Sequence, residues 1–211
     1  MYFCNTAFPV LLRLVNTIKD ILMITTTFFI FYSMRLPCYS KVMTMNGTKR
    51  IIGLDPGLRN TGWGVIDVTG NRLQYVAHGT AISDSKTDLA TRLSDIYNKL
   101  IEVIDEYQPD EAGIEEVFVN KNPGSTLKLG MARGVVLLAP KTRGLIIGEY
   151  SANKVKKSVV GAGHAGKDQV EIMVKTLLPG CQNATKDAAD ALAVAICHSH
   201  HSTIQKIWAK L

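Results

Sequence analysis

The sequence predicts a single α/β domain built on a mixed sheet with helices on both faces, and three observations carry that prediction. Three strand-like apolar runs come first, punctuated by glycine, proline and asparagine. Two more such runs follow, alternating with helical stripes of apolar residues. The chain's 211 residues, 46% of them hydrophobic and 20% charged, suffice for one such domain with a substantial core. That order and size argue for a sheet covered on both sides.

Ile51–Leu54, Gly62–Val68 and Leu73–Ala81 read as the leading strands, with Thr69-Gly70-Asn71 a hairpin signal between the last two. Leu89, Leu93, Ile96, Leu100, Ile104 and Tyr107 recur at helical spacing, and Pro109 stops the run. "EAGIEEVFV", residues 111–119, returns to a strand. "KNPGS" punctuates, and Ser125 is the expected cap of a second helix running to about Leu138. A fifth strand lies around Leu145–Tyr150, followed by the basic segment "NKVKKSVVGAGHAGK", whose ordinary fate is a solvated loop. Val170, Met173, Val174 and Leu177 form a third amphipathic stripe, ended by Pro179-Gly180. An alanine-rich last helix begins near Thr185. There is no internal repeat and no low-complexity tract.

Residues 1–44 have a different character. Their apolar centre, Ile21 to Tyr32, is twelve residues long and includes three threonines, too short to span a bilayer. No small-residue cleavage site follows it, which argues against a secretory leader. We expect the folded domain to be 45–211, opening at "MNGTKRIIGLD", and 1–44 to be an extension of doubtful status arising from a mis-assigned start. A membrane-associating tail is the lesser reading. The net charge of +6 permits a polyanionic partner without requiring one. Half of that excess belongs to the extension, where Arg13, Lys19, Arg35 and Lys41 face only Asp20. Four cysteines with no CxxC pair indicate a reducing, cytoplasmic setting and no membrane partner.

Chemistry is suggested by carboxylates. Asp55 ends a core strand, where an unpaired carboxylate is costly. Glu115 or Glu116 lies within strand four, and alternation alone does not choose between them. Asp187 and Asp190 are three apart at the start of the last helix and share a face. Ala188, Ala189, Leu192 and Ile196 would pack that helix on the sheet, bringing the aspartates toward the strand carboxylates. Converging carboxylates repel unless a cation sits among them. Hard oxygen donors without a His/Cys set favour Mg²⁺ or Mn²⁺ over Zn²⁺, and two such ions suit phosphodiester hydrolysis. Taken singly, each residue is better explained as a turn or helix cap.

"GLDPGLRNTGWGV", "IEEVFVNKNPGSTLKLGMARG", "VKKSVVGAGHAGKDQV" and "DAADALAVAICH" resemble, in order and spacing, the RuvC Holliday-junction resolvases of bacteria. The resemblance runs from about Ile51 to His198. It implies a ribonuclease-H-like fold, a homodimer, and metal-dependent paired nicking of four-way DNA junctions. The family's metal-binding carboxylates fall on Asp55, Glu115, Asp187 and Asp190, holding two Mg²⁺ ions with Mn²⁺ a substitute. Glu115 is preferred over Glu116 because it precedes "EVF" as the family's catalytic glutamate precedes its own x-Val-Phe. An aromatic at the position of Phe118 stacks into the opened junction centre, and Lys156 and Lys167 match the family's DNA-contacting pair. Lys154, Lys157 and Arg143 would extend that patch. The stripe Leu127, Gly130, Met131, Gly134 and Leu138 matches the helix that contributes to the family's dimer interface; read alone it is a buried helix with two costly glycines. A RuvA–RuvB branch-migration assembly is the implied partner.

Three other readings stand beside this one. ATPases of the actin and sugar-kinase superfamily share the opening D-x-G turn, but the second such repeat is missing. A junction-binding relative without cleavage would be expected to lose a carboxylate, and all four are present. A nuclease of the same fold acting on an RNA–DNA hybrid remains open, because fold alone does not choose substrate. Lys186 either tunes Asp187 or points to solvent, and "HSHH" at 198–201 reads as a polar helix end rather than a metal chelate.

Overall fold

The structure, a computed structural model, describes residues 47–116, 122–162 and 166–208. These belong to a compact unit spanning Thr44–Leu211. Strands β1 (Lys49–Asp55), β2 (Asn60–Thr69), β3 (Arg72–Ile82), β4 (Glu111–Glu115) and β5 (Ile146–Tyr150) form one sheet in the order β3-β2-β1-β4-β5. The helices are α1 (Leu89–Tyr107), α2 (Pro123–Thr142), α3 (Ala152–Val160), α4 (Lys167–Leu177) and α5 (Lys186–Trp208). The first three strands pair antiparallel, whereas β1–β4 and β4–β5 are parallel. This is the mixed five-stranded sheet expected of the sequence.

Local chemistry explains most element ends. Gly70, at φ +58°, sits in a two-residue turn that closes the β2–β3 hairpin with Thr69 opposite Arg72. The Asp88 side chain caps α1 by accepting from the Thr91 N–H, and Gln108 takes the left-handed C-cap conformation just before Pro109. The α2 cap is Asn122 rather than Ser125: its side chain accepts from the Gly124 and Ser125 N–H groups, and Pro123 opens the helix. That helix continues past Leu138 to Thr142, with Pro140 buried in its last turn. Strand β4 ends at Glu115, short of the expected Val119; residues 117–121 lie outside the described chain.

The basic segment after β5 is not simply a loop. Its first part is α3, whose Val155 and Val159 are buried against the core. Sequence reading missed this helix because nine residues carrying three lysines offer only a short apolar stripe of three valines. The core has two halves, one on each side of the sheet. Ile52, Leu54, Val65, Ala112 and Ile114 pack with Ile96, Leu100 and Ile104 of α1 and Val136 and Ala139 of α2. Ile51 and Ile66 face the other way, onto α3, α4 and α5.

Helix α5 is buried all round from Ala191 to Ser199, so it has no solvent face there. The expectation of one apolar face bearing on the sheet therefore understates its burial: it is a central helix between sheet and α3–α4. Its backbone approaches the strands where they carry no side chain. A Cβ placed on Gly53 would lie 2.0 Å from the Ala191 carbonyl oxygen and 2.6 Å from the Ala195 nitrogen. Among the described residues no helix is long and apolar enough to cross a membrane. We expect Gly53→Ala to lower stability by roughly 2 kcal/mol or more, because both contacts are rigid backbone, seen as a lower urea midpoint.

Candidate active site

Asp55 and Glu115 are the last residues of two parallel neighbours, β1 and β4. The register pairs Leu54 with Ile114, so the two carboxylate residues stand side by side one position further along. Adjacent strands are about 4.8 Å apart. Their common face follows from alternation. Gly53 and Gly113 both point at α5, where added Cβ atoms would meet Ala191 and Ala195, and His198 and Val194. Two residues on, Asp55 and Glu115 point to the same side. Glu116 follows the strand and takes the opposite side, its N–H donating to the Tyr150 carbonyl at 2.8 Å. Glu115, and not Glu116, therefore shares the α5 side of the sheet with Asp55.

Asp187 and Asp190 stand in the first turns of α5. Thr185 caps this end: its hydroxyl accepts from the Ala188 N–H at 3.3 Å and its carbonyl from the Ala189 N–H at 2.8 Å. Asp187 lies directly over β2, since a Cβ on Gly62 would come within 2.0 Å of its carbonyl oxygen. Gly62 is itself the register partner of Asp55. The helix aspartates are thus carried to the end of the sheet at which Asp55 and Glu115 emerge. All four residues are partly buried. After Asp55 the chain turns tightly through Pro56-Gly57, held by the buried Thr61 hydroxyl donating to the Gly57 carbonyl at 2.7 Å.

The donor set is oxygen-only and concentrated on rigid elements, which fits a hard divalent cation. Among the described residues no group of three or more His, Cys, Asp or Glu side chains is placed so that it could hold a metal ion. What the fold supplies is the backbone arrangement: two strand ends in register, with a helix N-terminus above them.

The remaining expected residues are distributed as follows. Phe118 lies outside the described residues. Lys156 is on α3, half-buried. Lys167 is the first residue of α4, and its side chain is outside the described part. Lys154 holds its ammonium 5.0 Å from the centre of the Tyr150 ring, and Lys157 is exposed. Arg143 does not extend this patch. It is at the end of α2, bound to both carboxylate oxygens of Asp105 on α1 at 2.7 Å, in the helical layer on the other side of the sheet. Lys186 is exposed.

The first histidine of the tail also departs from expectation, while His200 is exposed. His198 is 2% exposed, a core residue rather than a polar end, and it bonds Glu111 and Tyr150. Neither partner was singled out from the sequence. Glu111 looks like an ordinary polar strand start, and only the sheet register brings it beneath the helix.

Comparisons with known proteins identify the family and the fold. The sequence profile of the family described as Crossover junction endodeoxyribonuclease RuvC matches residues 51–198. The RuvC of Paramagnetospirillum magneticum is 61% identical over 161 residues, covering 76% of this chain and 97% of that protein. That of Bartonella quintana is 54% identical over 167 residues, 79% and 99% of the two chains. The structure of T. thermophilus RuvC in complex with Holliday junction substrate superposes with a TM-score of 0.70 at 28% identity, over 74% of this chain and 96% of that one. With its ribonuclease-H-like sheet and this extent of identity, the chain belongs to the crossover junction endodeoxyribonuclease RuvC family.

Proposed function

We propose that this protein is a metal-dependent endonuclease that resolves four-way DNA junctions by paired, symmetric nicks during recombination and repair. The observation that carries the reading is the register pair Asp55 and Glu115, facing the helix that bears Asp187 and Asp190, in a chain of the RuvC family. These four carboxylates would hold two Mg²⁺ ions, with Mn²⁺ a substitute. Bound there, divalent cations supply water activation and neutralise the leaving oxygen. The protein's own part is to hold the carboxylates on strands and a helix, so that the ligand geometry is built before substrate arrives. Lys156 and Lys167 neutralise phosphates beside the scissile bond and steady the charge that develops there. Phe118 stacks against bases unstacked at the crossover. The product is a nick bearing a 5′-phosphate.

Cutting two strands symmetrically requires two sites related by a two-fold axis. A surface for the second copy is available on α2. Leu127, Met131 and Leu138 are 63%, 41% and 54% exposed, and added Cβ atoms on Gly130 and Gly134 would meet nothing. Such an apolar stripe, free of bulk at two positions, suits close approach by the same helix of a partner. The stripe is therefore exposed, not the buried face that its sequence alone suggested. We further propose a cytoplasmic setting, a RuvA–RuvB partner that delivers junctions, and a nuclease domain of 45–211 to which 1–44 is dispensable.

The primary test is cleavage of a labelled four-way junction by the full chain with Mg²⁺ and with EDTA, beside linear duplex and RNA–DNA hybrid. Symmetric metal-dependent nicks confined to the junction are expected; cleavage of the hybrid instead would overturn the substrate assignment. Asp187→Asn should abolish those nicks while junction binding in EDTA is retained, and normal cutting by this variant would refute the four-carboxylate site. Lys156→Ala should weaken junction binding and make the log–log salt slope shallower by about 1, as expected for one lost phosphate contact. Leu138→Glu should shift the solution mass toward the monomer in light scattering.

A further inference from the structure

A chain of polar side chains runs through the interior below the candidate site. Lys49, at the start of β1, places its ammonium 3.0 Å from Glu111 Oε1. Glu111 Oε2 is 3.0 Å from His198 Nε2, and His198 Nδ1 is 3.0 Å from the Tyr150 hydroxyl. The side chains of Glu111 and His198 are 4% and 3% exposed, and Tyr150 as a whole 2%. An ionised Glu111 only accepts, so His198 Nε2 donates to it and, with the ring neutral, Nδ1 accepts the tyrosine proton. Burial pushes the Tyr150 hydroxyl up to about 12, so it keeps that proton at working pH. The chain links four elements: β1, β4, α5 and β5.

Why should α5 need such a fastening? The part of α5 on the sheet is mostly small and entirely apolar before His198: Ala188, Ala191 and Ala195 meet Gly62 and Gly53, Leu192 lies over Gly64, and Val194 over Gly113. Apolar burial is non-directional and would penalise a small slide or rotation of such a helix only weakly. Directional bonds from one buried residue penalise it strongly, the best-attested use of buried polar groups being to specify register. His198 is well placed for this. It stands eight residues from Asp190, about 12 Å along the helix. Glu111 is on the same strand and the same face as Glu115. Tyr150 is the register partner of Glu115, and its carbonyl accepts the Glu116 N–H at 2.8 Å. The space for the tyrosine hydroxyl exists because residue 148 is glycine, where a Cβ would lie 2.5 Å from it.

We propose that Lys49, Glu111, His198 and Tyr150 form a positioning device that keys α5 to β4 and β5 and so sets the spacing between the helix carboxylates and the strand carboxylates. The inference rests on the assignment of Asp55, Glu115, Asp187 and Asp190 as metal ligands. None of the four device residues touches the reacting atoms. Their effect passes through the geometry of the ligands, and its signature is metal affinity rather than junction affinity.

The test uses the full chain with Tyr150→Phe, Glu111→Gln, the control Ile104→Val on the opposite core face, and Glu115→Gln. Four quantities are measured: the thermal midpoint, Mn²⁺ binding by calorimetry without DNA, the Mg²⁺ concentration for half-maximal junction cleavage, and junction affinity in EDTA. Tyr150→Phe is expected to raise the Mn²⁺ Kd and the half-activating Mg²⁺ concentration by about tenfold, the low end for losing an outer partner of a metal site. Junction affinity should stay unchanged. Ile104→Val should lower the thermal midpoint and leave both metal measurements alone. If Tyr150→Phe fails to fold, Glu111→Gln, which keeps the volume and an acceptor oxygen, should show the same shift in smaller degree. A variant of the device that loses thermal stability as the control does, with metal affinity unaltered, overturns the proposal. Glu115→Gln separates the two ideas: if it binds Mn²⁺ and cuts normally, the ligand assignment itself has failed.

Discussion

The close approach of a helix backbone to a sheet is the constraint on which the rest of this molecule depends. Asp187 and Ala191 press their carbonyls on Gly62 and Gly53, at distances no side chain could share. With α5 seated so low, small residues and Leu192 fill the space beneath it, and the helix is interior on every side from Ala191 to Ser199. The two halves of the core then close around it: α3 and α4 cover its back, while α1 and α2 cover the other face of the sheet. A larger residue at either glycine would lift the helix from the strands and separate the aspartates from the strand ends. Stability and chemistry therefore depend on the same few ångströms.

This arrangement puts every candidate ligand on a regular element. Asp55 and Glu115 are strand termini in register, and Asp187 and Asp190 belong to the first turns of a helix capped by Thr185. Positions on strands and helices are held more closely than positions on loops, as a site for hard cations demands. Assembling acidic groups this way costs electrostatic repulsion until a cation binds. The surrounding frame must tolerate that cost, and the buried Glu111 illustrates how the interior treats a carboxylate. It is satisfied on both oxygens, by Lys49 and by His198.

The two sides of the sheet serve different ends. On the α5 side stand the carboxylates, the half-buried Lys156 and the start of α4 at Lys167, which suits contact with a polyanion. On the other side α2 buries Ala132, Val136 and Ala139 but leaves Leu127, Met131 and Leu138 exposed. The two helical layers follow from the chain order: α1 and α2 stay on one side of the sheet, and the chain passes to the other side after β5, where α3 begins. Arg143 illustrates the separation. In sequence it stands only eleven residues before Lys154, yet it is bound to Asp105 in the opposite layer.

By itself the sequence determined the strand runs, the long first helix, the hairpin at Gly70 and the candidate carboxylates, because these depend on local periodicity, turn chemistry and motif spacing. It also contained enough family pattern to name Asp55, Glu115, Asp187 and Asp190. Tertiary structure alone decided which face of β4 looks at α5, and with it why Glu115 and not Glu116 stands beside Asp55. Tertiary structure likewise turned His198, the first residue of the histidine tail, into a core anchor and part of a basic stretch into helix α3. It moved the α2 stripe from interior to surface. Each of these depends on what lies across the sheet from a residue, and contacts between positions as far apart as Glu111 and His198 leave no trace in the pattern of either segment.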